Sequence, residues 1–195
     1  MSHRLSRVCV FCGSSNGFRP RFREAAAEFG ALLAAERIGL VYGGGGTGLM
    51  GAVADAVLQQ GGEVIGVIPE ALVAREVAHR ALQDLRVVPS MHERKALMAD
   101  LSDGFVALPG AFGTLDEFCE IITWAQLGIH NKPCGLWNVD QFWDPLLAMF
   151  AHSEHEGFLK PAHRQMVLAE DDPRRLLQRL KNHTATVEDK WRDLR

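Results

Sequence analysis

The chain has 195 residues, 47% hydrophobic and 23% charged, enough for one globular domain with a sizeable core. Its 21 Lys and Arg against 24 Asp and Glu give a formal charge of −3, too balanced to single out a nucleic acid or an anionic membrane as partner. No apolar run approaches a membrane span or a signal-peptide core, and four scattered cysteines cannot frame a disulfide scaffold, so a reducing cytoplasm is the expected location.

Short apolar or β-branched runs alternate with longer amphipathic stretches, the rhythm of a doubly wound α/β sheet. Val8–Cys12 reads as the first strand and Pro20–Glu36 as the first helix, with Pro20 suited to an early helical position. Ile38–Tyr42 is a second strand, a glycine cluster follows, and Leu49–Gln60 is helical until Gly61-Gly62 ends it before a third strand at Val64–Ile68. Ala71–Gln83 is irregular, a loop or short helix near the sheet edge. Leu85–Val88 is a fourth strand, Met91–Leu101 a helix, Gly104–Leu108 a buried fifth strand, and Thr114 to about Leu127 the next helix. Cys134–Trp137 is a sixth strand, Trp143–His155 and Pro173–Leu180 are helical, and residues 182–195 read as a polar tail. Repeats and linkers are absent, so residues 1–181 are expected to form a single Rossmann-like domain.

Three glycine-bearing turns each follow a predicted strand: Gly13 to Gly17, Gly43 to Gly48, and Pro109 to Thr114. In an open parallel sheet, ligands sit beyond the carboxyl ends of the strands, where the next helix offers unpaired N–H groups to phosphate. Each turn could be a tight connection and no more; three on one sheet edge suggest a phosphate site. Gly43 to Gly48 satisfies G-x-G-x-x-G in form, but it follows the second strand and no carboxylate closes the strand after it, so a dinucleotide site is set aside. No Lys-Ser or Lys-Thr follows the glycines, which sets aside a Walker-type loop.

Two helix starts carry unusual charges. Ser90 to Glu93 reads as a capping box, which puts Arg94 and Lys95 in or just past the first turn. Cations there are unfavourable by about 0.3–1 kcal/mol each unless an anion lies near or the side chains extend into water. Thr114 to Glu117 reads as a second capping box. Glu117 thus has two readings: the residue that closes the box, or a carboxylate within reach of a bound sugar phosphate.

Other candidates have structural readings. Cys9 and Cys12 have C-x-x-C spacing but lie within a strand, facing opposite sides, as core thiols would. His152 and His155 with Glu154 or Glu156 fit a solvated helix face better than a metal site, and no metal is expected. Trp124, Trp137 and Trp143 read as core or dimer contacts, Trp124 as an interface candidate.

Pro109-Gly110-Ala111-Phe112-Gly113-Thr114-Leu115-Asp116-Glu117 resembles the signature P-G-G-x-G-T-x-x-E of the LOG (Lonely guy) family, and Met91 to Met98 is similar to its M-H-x-R-K-x-x-M helix. Val10 to Ser15, Tyr42 to Gly51, Thr123 to His130 and Gly135 to Asn138 extend the likeness over about Arg7 to Leu159. Two departures stand out: Ala111 replaces the second glycine of the signature, and Asp116 stands where many members have Glu.

The resemblance implies a Rossmann-like subunit, commonly a homodimer, that needs no cofactor and cleaves cytokinin riboside 5′-monophosphates or AMP to free base and ribose 5-phosphate. It implies Arg94 and Glu117 as the catalytic pair. It implies Glu76, Lys95, Gly110, Ala111, Phe112, Gly113, Thr114, Leu115, Asp116 and Thr123 as substrate-binding positions. Relatives are often labelled lysine decarboxylase, but that chemistry needs an electron sink such as PLP, and no lysine here has such a setting. The alternative reading is a non-catalytic nucleotide or cofactor carrier on the same fold, which needs the glycine turns and not the Arg94–Glu117 pair.

Overall fold

The structure, a computed structural model, describes residues 5–73 and 78–184. Seven strands form one parallel sheet: β1 (Arg7–Phe11), β2 (Gly39–Tyr42), β3 (Val64–Pro69), β4 (Asp84–Val88), β5 (Gly104–Ala107), β6 (Cys134–Trp137) and β7 (Val167–Glu170). Eight helices lie among the described residues: α1 (Pro20–Ala35), α2 (Gly48–Gln59), α3 (Glu70–Val73), α4 (Met91–Asp100), α5 (Phe112–Gln126), α6 (Asp144–His155), α7 (Pro161–Arg164) and α8 (Pro173–Lys181). None is long and apolar enough to cross a membrane.

The strand order is β4-β3-β2-β1-β5-β6-β7. From β1 the chain winds outward to β4, then returns to place β5 on the other side of β1, in the register Val8 beside Gly104. A crevice opens at such a reversal, outside the carboxyl ends of the two strands. β1 and β5 are also where two of the three glycine turns begin.

Side chains along each strand alternate between two apolar layers, as a sheet covered on both faces requires. Val8, Val10, Leu40, Tyr42, Val106 and Trp137 pack with α1, α2 and α8. Cys9, Phe11, Val41, Phe105 and Leu136 pack with α4 and α5 on the other face, with Leu146 and Leu147 of α6 against them. Cys9 and Cys12 fall in opposite layers, and burial pushes both thiols up, as inert core cysteines. Trp137 and Trp143 are core residues too, while Trp124 is only partly buried.

Several expectations need correction. β7 and α7 lie in a stretch with no predicted element, whereas Ala71–Gln83, expected as a loop or short helix, does open with the short helix α3. Within that stretch Ala78 pairs in an antiparallel bridge with Gly45. α5 begins at Phe112, before the expected Thr114. Past Thr184 the expected tail lies outside the described residues.

Candidate active site

Between the turns after β1 and β5 lies a cavity of about 340 Å³. Residues 12–17 form one wall and Pro109, Gly110, Ala111, Gly113 and Thr114 the facing one, with Leu49, Met50, Phe22 and Phe142 as apolar surfaces. Arg94 and Glu117 complete the lining. The two glycine turns touch through backbone: the Gly13 N–H donates to the Pro109 carbonyl at 3.0 Å. A Cβ on Gly110 would strike the Thr114 side chain, so this contact requires glycine.

The start of α5 decides how Glu117 is read. Ala111 is the N-cap, at φ −116°, and its side chain makes no cap bond. The negative φ does not call for glycine's left-handed freedom at this position, so alanine can stand where the family signature has its second glycine. Thr114 sits buried in the first turn instead of capping it, and Glu117 lies too far along to close a capping box. The capping explanation of Glu117 therefore falls away.

The first intrahelical bond of α5 runs from the Leu115 N–H to the Ala111 carbonyl. The N–H groups of Phe112, Gly113 and Thr114 precede it, and no acidic side chain occupies the first turn. A 15-residue helix thus brings an uncapped, partly positive end to the cavity wall. α4 differs: the Ser90 hydroxyl accepts from the Glu93 N–H at 3.2 Å and donates to the Glu93 carboxylate at 3.3 Å. Its capping box is present, though the glutamate closes on the hydroxyl and not on the backbone.

Arg94 is 5% exposed, although it belongs to the first turns of α4. Its Nε donates to the Val67 carbonyl and its Nη2 to the Gly43 carbonyl, both at 3.1 Å. Its Nη1 contacts the Met91 sulfur at 3.7 Å and stands 3.9 Å from Glu117 Oε1. At 3.9 Å that pair is an ion contact and not a hydrogen bond. The Glu117 side chain is 11% exposed, and its charge adds to the burial that pushes the Cys9 and Cys12 thiols up. A desolvated Arg–Glu pair is a weak source of stability. A pair facing a cavity is where chemistry is expected.

The remaining sequence candidates are not all brought together. Lys95 points to α5, with Nζ 3.2 Å from Asp116 Oδ2 and 3.0 Å from Glu120 Oε2. Burial pulls its pKa down, but the hydrogen bonds it donates to Glu120 and Asp116 outweigh this and hold the ammonium above its ordinary range. Neither Lys95 nor Asp116 lines the cavity. Phe112 is 89% exposed, and Leu115 packs on the core beneath α5. Thr123 donates to the Cys119 carbonyl and lines a separate hollow of about 450 Å³ beside α6. Glu76 lies outside the described residues.

Sequence reasoning missed Phe22, Leu49, Met50 and Phe142 as cavity residues. Leu49 and Met50 immediately follow the second glycine turn, which is a usable signal. Phe142 arrives through Asp140 and Gln141, both left-handed at φ 49° and 62°, and no pattern announces that bend.

The model of a family described as "Possible lysine decarboxylase" matches residues 50–180. The chain is 53% identical over 180 residues to "Probable cytokinin riboside 5'-monophosphate phosphoribohydrolase LOGL9" of Oryza sativa subsp. japonica, covering 92% of this chain and 79% of that protein. It is 47% identical over 180 residues to the cytokinin riboside 5′-monophosphate phosphoribohydrolase LOG7 of Arabidopsis thaliana, covering 92% and 83%. Among solved structures, the molybdenum cofactor binding protein of Rippkaea orientalis superposes with a TM-score of 0.68 at 21% identity, covering 91% of this chain and 96% of that one. The molybdenum cofactor carrier protein of Chlamydomonas reinhardtii gives 0.67 at 18%, covering 91% and 98%. At those identities the structural likeness is one of fold. Sequence, spanning nearly the whole chain, decides the family: the chain belongs to the LOG family of cytokinin riboside 5′-monophosphate phosphoribohydrolases.

Proposed function

We propose that the chain hydrolyses the N-glycosidic bond of adenosine-type 5′-monophosphates, cytokinin riboside monophosphates and AMP among them, releasing free base and ribose 5-phosphate. The observation that carries this reading is Arg94 Nη1 standing 3.9 Å from Glu117 Oε1 on the wall of a cavity shared by two glycine turns.

The 5′-phosphate binds at the uncapped start of α5, against the N–H groups of Phe112, Gly113 and Thr114. A Cβ on Gly113 would meet nothing within 4 Å, so the fold itself does not require glycine there. An anion that must approach the backbone does. With the phosphate anchored, the ribose lies toward Glu117, and binding energy spent on the phosphate holds the sugar in register.

As the bond from C1′ to the base nitrogen breaks, positive charge develops on the ribose. The Glu117 carboxylate stabilises it and orients a water, whose oxygen bonds to C1′ while one of its protons passes to the carboxylate. The departing base takes its proton from solvent, to which Glu117 afterwards returns the one it gained. Nε and Nη2 of Arg94 are committed to carbonyls, so Arg94 acts by fixing Glu117 and not by reaching the phosphate. Lys95 and Asp116 tie α4 to α5 outside the cavity, and any contact of theirs with substrate is indirect.

A carrier on this fold would need the glycine turns and have no use for a buried Arg94–Glu117 pair. Incubating the purified protein with AMP and with isopentenyladenosine monophosphate, and resolving the products, tests the choice. Hydrolysis yields base and ribose 5-phosphate; a carrier returns the nucleotide intact.

The protein acts as a homodimer in this reading. Ile129, Met149 and Phe158 are exposed apolar side chains, Phe158 on the lining of the Thr123 hollow, and no residue of α6 is fully buried. Light scattering coupled to size exclusion tests it, with twice the mass of one chain expected. Four free cysteines, three of them buried, suit a cytoplasmic location.

A further inference from the structure

We propose that Asp55 and His79 are positioning residues that hold Arg94 in place through the glycine turn after β2; this rests on the assignment of Arg94 to the reaction. The Gly43 carbonyl accepts from Arg94 Nη2 at 3.1 Å, so the path of that turn sets where the guanidinium lies. A Cβ on Gly43 would overlap Nη2, so backbone and guanidinium are in direct contact. Yet residues 43–46 are four glycines in a row, the sequence least able to hold its own conformation. Something outside the turn must restrain it.

That restraint is the segment beginning at Ala78. Ala78 bridges Gly45 in antiparallel fashion, and the His79 N–H donates to the Gly44 carbonyl at 3.0 Å. The turn is therefore gripped on one side by Arg94 and on the other by Ala78 and His79. The segment is in turn tied down by its imidazole: His79 Nε2 is 3.0 Å from Asp55 Oδ1 on α2. The ring is buried, and among the described residues its Nδ1 has no hydrogen-bond partner, so Asp55 is the polar contact that fixes it. Neither Asp55 nor His79 lines the cavity. Their influence runs from α2 through the glycine turn to Arg94 and ends at Glu117.

Small displacements at this end matter, since an error of about 1 Å in a reacting group can cost on the order of 100-fold in rate. The test uses the full chain with His79→Leu, His79→Gln, Asp55→Ala and Asp55→Asn. His79→Leu and Asp55→Ala should lower kcat by roughly 10- to 100-fold with KM within about 2-fold of wild type. His79→Gln and Asp55→Asn keep a donor and an acceptor and should recover most of the loss. Hydrogen–deuterium exchange, read independently of activity, should quicken at residues 43–47 in the first two variants and not in the second two. Wild-type kcat and exchange in His79→Leu would overturn the proposal, as would a His79→Gln variant as impaired as His79→Leu. A wild-type protein that releases no base from any monophosphate sinks the functional reading instead, while the exchange pattern still decides the role of the pair.

Discussion

Arg94 and Glu117 meet at 3.9 Å although they belong to helices that follow different strands, β4 at the sheet edge and β5 beside the central β1. The winding order explains the meeting. α4 is the crossover that carries the chain back from β4 to β5, and it packs over β3, where the Val67 carbonyl receives the guanidinium. α5 rises from β5 beside the first glycine turn and carries Glu117 along the same wall.

Glu117→Gln keeps shape and removes charge. Turnover should fall by at least about 1000-fold, since both cation stabilisation and water orientation depend on the carboxylate. Circular dichroism should show a wild-type fold with a lowered unfolding midpoint, because the substitution leaves the buried Arg94 guanidinium without its counter-charge. A variant with more than a tenth of wild-type turnover contradicts the role.

Gly43→Ala places a methyl group where Arg94 Nη2 now lies. The guanidinium must move, lengthening its bonds to the Gly43 and Val67 carbonyls. Steady-state kinetics should show kcat reduced on the order of 10- to 100-fold. Stability should fall by about 1–3 kcal/mol in urea melts, the usual cost of overpacking.

Gly113→Ala offers the contrast. Its new methyl group meets no protein atom within 4 Å, so the melt should match wild type to within about 0.5 kcal/mol. KM for a monophosphate should rise by about 10-fold or more, because the methyl group stands where the phosphate approaches the backbone. An unchanged KM would place the anion elsewhere.

His130 ties pH to stability. Its Nε2 is 2.9 Å from the Ile121 carbonyl and its Nδ1 accepts from the Lys132 N–H at 3.1 Å, an arrangement for the neutral ring. Burial lowers its pKa below the ordinary 6.5, the Ile121 bond opposes this, and the Lys132 charge adds to the lowering. The unfolded chain therefore takes up the proton first as pH falls, and stability is lost from about pH 6.5 down through the folded value. Thermal melts from pH 8 to pH 5 should show that loss, and His130→Gln should flatten it. Parallel curves for the two proteins would contradict this account.

How far the sequence carries varies by residue. Strands β1 to β6 are legible because each contains a run of apolar residues bounded by glycine, proline or polar turns. β7 is not, because Val167–Glu170 is half-buried at the sheet edge and ends on a charge. The start of α5 misleads because Thr114 to Glu117 imitates a capping box, while the true N-cap is an alanine that no capping rule selects. Arg94 stands out as a cation near a helix start. Lys95 carries the same mark, yet it is bound to Asp116 and Glu120, one turn apart on α5, a pairing that only the packing of the two helices creates. The Asp55–His79 contact joins α2 to an irregular segment and leaves no periodic trace.

The most direct test compares isopentenyladenosine with its 5′-monophosphate, each incubated with wild type and with Glu117→Gln, and measures free base by chromatography. The account predicts base from the monophosphate with wild type alone, and almost none in the other three reactions. Equal release from nucleoside and monophosphate would contradict the phosphate anchor, and undiminished release by Glu117→Gln would contradict the Arg94–Glu117 centre itself.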